Sequence, residues 1–167
     1  MSKLRRYYSE NSNYFVTAVT YARMPIIVEH FDILWEGITR YRDSLNFELV
    51  AWVVLPDHVH LMVTPKAVDL SRIMHSIKSS FASRYRKLHN MYRGRVWQNR
   101  FWDHVIRDED DFDRHLDYTH RNSVKHGFSS GPFDWSYSSF RKFHEMGIYE
   151  GDWGLIAPRN EDNDYGE

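Results

Sequence analysis

Two runs rich in Val, Trp and Leu, residues 47–55 and 58–64, are separated only by Pro56 and Asp57. So short a turn joins strands that run antiparallel, because a parallel partner needs a crossover of a dozen residues or more. The chain is therefore built around a central hairpin, and what flanks it limits the fold. Residues 13–21, Asn13-Tyr14-Phe15-Val16-Thr17-Ala18-Val19-Thr20-Tyr21, are β-branched and aromatic and read as a strand. Pro25 suits the first turn of a helix, and Ile26, Ile27, Phe31, Leu34, Ile38 and Tyr41 recur at helical spacing, which predicts an amphipathic helix over 25–43. After the hairpin, Pro65 ends the third strand and Asp69 caps a helix expected over 70–92, with Ile73, Ile77, Phe81, Tyr85 and Leu88 as its buried stripe and Gly94 marking its end. Residues 96–107 read as extended. Asp108 opens a last helix whose first turn is loaded with acids, where the helix dipole favours them, and which runs to about Lys125, before Gly127.

The order is β-α-β-β-α-β-α. Its first six elements match the ferredoxin-like split βαβ arrangement, so the expected class is α+β with an antiparallel sheet and an irregular C-terminal segment. The expected division is a domain over 1–127, a docked aromatic segment over 128–156, and an acidic, disordered tail over 157–167. No apolar run reaches the ~18 residues a membrane-spanning helix needs. The first eight residues, Met1-Ser2-Lys3-Leu4-Arg5-Arg6-Tyr7-Tyr8, lead into no apolar stretch of the signal-peptide type, so a cytoplasmic protein is expected. The absence of cysteine excludes disulfides, thiolate metal sites and a Cys nucleophile, leaving ten histidines as candidate metal ligands.

The formal net charge of -1 hides a strong asymmetry. Residues 70–107 hold nine Lys and Arg against Asp103 alone, a net +8. Within that stretch Lys78, Arg84, Arg86, Lys87, Arg93, Arg95 and Arg100 are interleaved with Phe81, Tyr85, Tyr92, Trp97, Phe101 and Trp102. Basic groups neutralise phosphates and aromatic faces stack on unpaired bases, so the segment is a candidate nucleic-acid surface. It would also suit a solvated helix face over an ordinary aromatic core.

Two further patterns carry chemistry. His58-Val59-His60 on a strand puts both imidazoles on one face, able to grip one metal ion, with Met62 next along and Val59, Leu61 and Val63 turned to the core. Two exposed histidines on a polar sheet face would look the same. On the last helix, at ~100° per residue, Asp111, Arg114, His115, Arg121, Asn122 and Lys125 fall on the side of Tyr118, with Phe112, Leu116, Ser123 and Val124 opposite. Tyr118 thus lies on a polar stripe among cations, with Asn122 one turn on, although a surface tyrosine would also fit. His120 faces away and reads as a structural histidine.

Four blocks carry a resemblance. Leu55-Pro56-Asp57-His58-Val59-His60-Leu61-Met62-Val63 resembles the HUH motif of single-tyrosine transposases. Trp97-Gln98-Asn99-Arg100-Phe101-Trp102-Asp103-His104-Val105-Ile106-Arg107-Asp108-Glu109 resembles a block of their REP-associated subgroup, named for repetitive extragenic palindromes. His115-Leu116-Asp117-Tyr118-Thr119-His120-Arg121-Asn122-Ser123-Val124-Lys125-His126-Gly127 is similar to that subgroup's nucleophile helix. The segments 134–140 and 149–154 are similar to its tail motifs. The family usually has a Gly-rich turn where this chain has Asn11-Ser12-Asn13, and a Pro where it has Ser123.

The resemblance implies a metal-dependent single-stranded DNA endonuclease and strand transferase of the HUH type. His58, His60 and Asn122 would hold a divalent ion, Mg or Mn, and Tyr118 would attack the scissile phosphate beside a DNA hairpin to leave a 5′-phosphotyrosine. Arg114, Arg121 and Lys125 would act on the tyrosine or on phosphate. The basic stretch would hold DNA, with Arg5 and Arg6 as a further basic arm. A monomer or homodimer associated with the nucleoid is expected. The rival readings are a non-catalytic single-stranded nucleic-acid-binding module and a metal hydrolase that activates water.

Overall fold

The computed structural model describes residues 12–155 and 165–167. Strands β1 (Tyr14–Val19), β2 (Phe47–Val54), β3 (His58–Pro65) and β4 (Trp102–Val105) form one sheet in the order β2-β3-β1-β4, and every neighbouring pair is antiparallel. Helices α1 (Phe31–Leu45) and α2 (Leu70–Leu88) cover one face, while α3 (Glu109–Lys125) covers the other, followed by the short α4 (Phe140–Glu145). The α+β, ferredoxin-like expectation holds. No helix among the described residues is long and apolar enough to cross a membrane.

Alternation along the strands sorts the two cores. Val16, Ala18, Val59, Leu61 and Val63 pack under α1 and α2 with Ile73, Ile77 and Phe81. Phe15 and Met62 face α3 and meet Phe112 and Leu116. A register irregularity between Leu49 and Ala51 puts Val50 and Ala51 together on the α3 side, the signature of a β-bulge.

Three elements differ from their expected extents. The first helix begins at Phe31, not Pro25: Ile27 donates its N–H to the carbonyl of Pro56 (2.8 Å), so this stretch is tied to the hairpin turn and its isoleucines are buried from an irregular backbone. The second helix stops at Leu88, where Asn90, at φ 53°, turns the chain in the left-handed region; Gly94 lies later in the loop. Only Trp102–Val105 of the stretch 96–107 is strand. Trp97 makes a single bridge to Thr20, and its indole N–H donates to the carbonyl of Lys78 (3.1 Å), which holds the preceding stretch against α2.

Helix α3 begins as read, with the Asp108 carboxylate accepting from the N–H of Asp111 (2.8 Å). The Tyr118 stripe, however, does not face solvent. Asp111, His115, Tyr118 and Asn122 are buried against the sheet, and Phe112, Leu116 and Ser123 are buried too. The segment after the helix explains this, because it wraps the flank that would otherwise be open. His120 is fully enclosed there, with Nδ1 3.0 Å from the Tyr149 hydroxyl and Nε2 2.8 Å from Ser139 Oγ, the structural role expected of it. Phe112 has no exposed surface. Phe112→Ala is expected to cost about 3–5 kcal/mol, measured by denaturant unfolding, with the loss centred on the docking of α3.

Candidate active site

Strand β3 carries the two histidines, and a neighbour aims each of them. Nδ1 of His58 lies 2.6 Å from Asp57 Oδ1, and a carboxylate can only accept, so Nδ1 carries the proton and Nε2 is left as a lone pair. Burial tends to raise the Asp57 carboxyl, but His58 and Arg23 (3.1 Å) outweigh it and hold it low. Thr17 sits opposite His60 in the β1–β3 register. Its hydroxyl donates to the Tyr165 carbonyl (2.5 Å) and lies 2.8 Å from Nδ1 of His60, so it accepts from that nitrogen. Nε2 of His60 then faces the site unprotonated, and burial keeps the ring neutral, pushing its pKa down to about 4. Both imidazoles thus present lone pairs in the orientation that metal-ligating histidines adopt when their other nitrogen is engaged.

Across from them, α3 brings Tyr118, Asn122 and Lys125. All of these side chains meet at the carboxylate of Glu167. Its Oε1 lies 2.9 Å from Nε2 of His60 and 3.7 Å from Nε2 of His58, and it accepts from Nδ2 of Asn122 (2.7 Å) and from the Tyr118 hydroxyl. Its Oε2 accepts from Lys125 Nζ (2.7 Å) and lies 3.1 Å from Nε2 of His126. Burial raises this carboxyl, yet the hydrogen bond from His126 and the other polar groups around it prevail and hold it far below the ordinary range. Lys125 also donates to the Tyr118 oxygen (2.8 Å). Phe15 forms the floor, stacked on His60 and edge-on to Tyr118.

These residues fit a cation. Nε2 of His58 and Oδ1 of Asn122 are buried with no hydrogen-bond partner among the described residues, and leaving such atoms unpaired is costly. His58, His60 and Glu167 have ligand atoms within 4.8 Å of one another.

The other expected site residues are dispersed. Arg114 binds the buried Asp111, and Arg121 lies over the Trp153 ring. Lys78, Arg86 and Arg95 line a groove of about 330 Å³ between α2 and the following loop. Arg100 lines the adjoining concavity with Thr17, Gly166 and Glu167; Gln98 and Phe101 belong to both, so the basic groove leads into the site. Arg84 pairs with Glu36 (2.6 Å) and, with Lys87, borders a different hollow beside Ile33; Arg93 is exposed on the loop. Arg5 and Arg6 lie outside the described residues, as do residues 156–164. Sequence reading gave no role to Asp57, Thr17, His126 or Glu167. The first two orient the histidines through neighbours in sequence or in register, and the register was the only signal for Thr17. For Glu167, more than forty residues along the chain from α3, there was none.

An antiparallel ferredoxin-like sheet carries two imidazoles on its central hairpin, and a tyrosine faces them from the last helix. The sequence matches the family described as IS200-like transposases over residues 8–105, and the chain belongs to it. Within that family its similarity is to the REP-associated tyrosine transposases. It is 33% identical to the Escherichia coli (strain K12) protein of that name over 160 residues, covering 92% of this chain and 91% of that one. A Haemophilus influenzae protein provisionally given the same name is 36% identical over 167 residues, covering 92% and 94%. A solved structure of a REP-associated tyrosine transposase bound to a REP hairpin superimposes with a TM-score of 0.81 at 33% identity, covering 100% of this chain and 98% of that one.

Asp111 gives the site a pH signature. Burial raises its carboxyl, but hydrogen bonds from His104 and the Arg107 N–H, with the charges of His115 and His104, bring its pKa down to about 2. A carboxyl lower in the folded than in the unfolded chain stabilises the fold above the unfolded pKa of ~3.9, and that contribution is lost as pH falls toward 2. The unfolding free energy should drop by about 2 kcal/mol from this group across that window. In urea titrations at pH 7 and pH 3, the stability difference between wild type and Asp111→Asn is expected to shrink by about half at the lower pH.

Proposed function

We propose that this transposase cuts single-stranded DNA beside hairpins of the repetitive extragenic palindrome type and transfers the strand through a covalent Tyr118 intermediate. The observation that carries the reading is the meeting of His58, His60, Asn122 and Tyr118 at one point, the Oε1 atom of Glu167. An anionic oxygen held there stands in chemically for a phosphate oxygen. The named relative bound to a REP hairpin supports the substrate class.

His58 Nε2, His60 Nε2 and Asn122 Oδ1 would hold a divalent ion, Mg or Mn. Two neutral imidazoles and an amide leave its charge undiminished, and when bound it supplies Lewis-acid polarisation of the phosphodiester. The chain's own groups do the rest. The Tyr118 oxygen forms a bond to phosphorus as the bond from phosphorus to the 3′-oxygen breaks. The phenol proton passes to solvent, and the leaving oxygen takes one up as a 3′-hydroxyl. Lys125, donating to the Tyr118 oxygen, stabilises the phenolate that attacks and the charge that develops at the phosphate. The groove carrying Lys78, Arg86 and Arg95, continued by Arg100, leads the strand to the site. All four central residues come from one chain, so a monomer suffices for the chemistry, which takes place where DNA is, in the nucleoid.

Incubation with hairpin-bearing single-stranded DNA and Mg²⁺ or Mn²⁺ should give a protein–DNA adduct that survives denaturation, is absent with EDTA, and disappears in Tyr118→Phe. Cleavage that continues in Tyr118→Phe would assign the reaction to water. Lys125→Met should slow adduct formation by about a hundredfold. Glu167 occupies the place proposed for the phosphate, so Glu167→Ala should form adduct faster than wild type in single-turnover assays. An unchanged rate would show that Glu167 does not compete with DNA.

A further inference from the structure

One turn before Tyr118, α3 carries a second cluster that the proposed chemistry does not use. Oδ2 of Asp111 accepts from the N–H of Arg107 (3.0 Å) and lies 2.8 Å from Nε2 of His104, while Oδ1 accepts from Nη2 of Arg114 (3.2 Å) and lies 3.3 Å from Nδ1 of His115. The rings of His104 and His115 are stacked at 4.6 Å and 14°, and Trp102 lies parallel to His104 at 6.1 Å and 8°. These groups enclose a cleft of about 170 Å³, which Tyr165 closes on the side of Tyr118. The Tyr165 ring stacks on that of Tyr118 at 3.6 Å and 14°, and Gly166 presses on Trp102 so closely that a Cβ there would lie 2.4 Å from the indole.

Two chemistries compete for this cleft. His104, Asp111 and His115 have ligand atoms near enough to share a cation. Against that, both carboxylate oxygens already take two contacts each, the imidazoles lie face to face, and two guanidinium groups stand at the rim, where they repel a cation. An anion joined to a flat ring fits better. Asp111 fixes the arginines and, among the described residues lining the cleft, sets one carboxylate against the two guanidinium groups of Arg107 and Arg114, whose side chains are 71% and 52% exposed. Trp102 offers an aromatic surface, and the space beside it is filled by a ring and a glycine. Arg114 is four residues from Tyr118, about one turn and ~6 Å along the helix, so a group held there adjoins whatever Tyr118 touches.

We propose that this cleft is a subsite for one unpaired nucleotide adjoining the scissile phosphate, with its phosphate on Arg107 and Arg114 and its base beside Trp102 in the space that Tyr165 and Gly166 fill. The assignment rests on Tyr118 as the nucleophile for what is adjoined, but the binding it describes needs no cleavage.

The test couples changes in the protein to changes in the DNA. Full-length wild type, the Arg107→Gln/Arg114→Gln double variant and Trp102→Ala are titrated with hairpin-bearing single-stranded oligonucleotides. Each flanking position of the cut is replaced in turn by a neutral methylphosphonate or an abasic nucleotide. At one flank, the methylphosphonate should weaken wild-type binding about tenfold and leave the double variant unaffected, while the abasic change should do the same for wild type against Trp102→Ala. Unchanged thermal melting of the variants guards against a folding defect. Losses that multiply independently at both flanks would overturn the subsite, and if the Tyr118 adduct still forms, the nucleophile reading survives that result. Coupling in the binding titrations without any adduct would overturn the nucleophile and keep the subsite.

Discussion

Everything at the site depends on the register between β1 and β3. A slip of one residue in an antiparallel pair sends each side chain to the opposite face. Here it would bury His58 and His60 beneath α1 and α2 and turn Val59 and Leu61 toward α3. The observed pairing sets Thr17 opposite His60 and Phe15 opposite Met62. One strand thus supplies both the hydroxyl that orients an imidazole and the aromatic floor that separates it from the helix. The apolar sets on both faces enforce this choice, since neither core tolerates the exchange. The residues that make the site possible are therefore also the ones that make the sheet.

The other face is settled by enclosure. Helix α3 has an apolar side and a polar side, and a helix of that kind usually shows its polar side to water. In this chain the polar side is turned to the sheet, because Phe15, His60 and Met62 present a surface partly aromatic and partly polar. The opposite flank is closed by His120, Tyr149 and Ser139 with the segment that follows. Burial of Asp111, His115 and Asn122 is sustained by the hydrogen bonds each makes.

The sequence was legible where a signal is local. The hairpin, the Asp69 and Asp108 caps and the i, i+2 and i, i+4 spacings of His58, His60, Tyr118 and Asn122 come from neighbours a few residues apart. Ile26 and Ile27 misled because burial, rather than helix, explains their spacing. The direction of the Tyr118 stripe was not readable, since it is set by a segment twenty to thirty residues away. The basic run was legible as charge but not as a surface: Arg84 is engaged by Glu36 and Arg121 turns to Trp153, while Lys78, Arg86 and Arg95 gather in one groove.

Glu167 lies in the same chain as the groups it touches, and this has a quantitative consequence. A ligand tethered to its own site acts at a fixed effective concentration, which dilution does not alter. On the proposed reading, a DNA strand that enters would have to outbid that internal ligand in each molecule separately, so the threshold for engagement would be a property of the single chain and not of how many copies are present. Strands held only by the basic groove would meet this threshold poorly. Those that also fill the interior contacts would pass it, and displacing the carboxylate would lower the affinity of every such strand by the same factor.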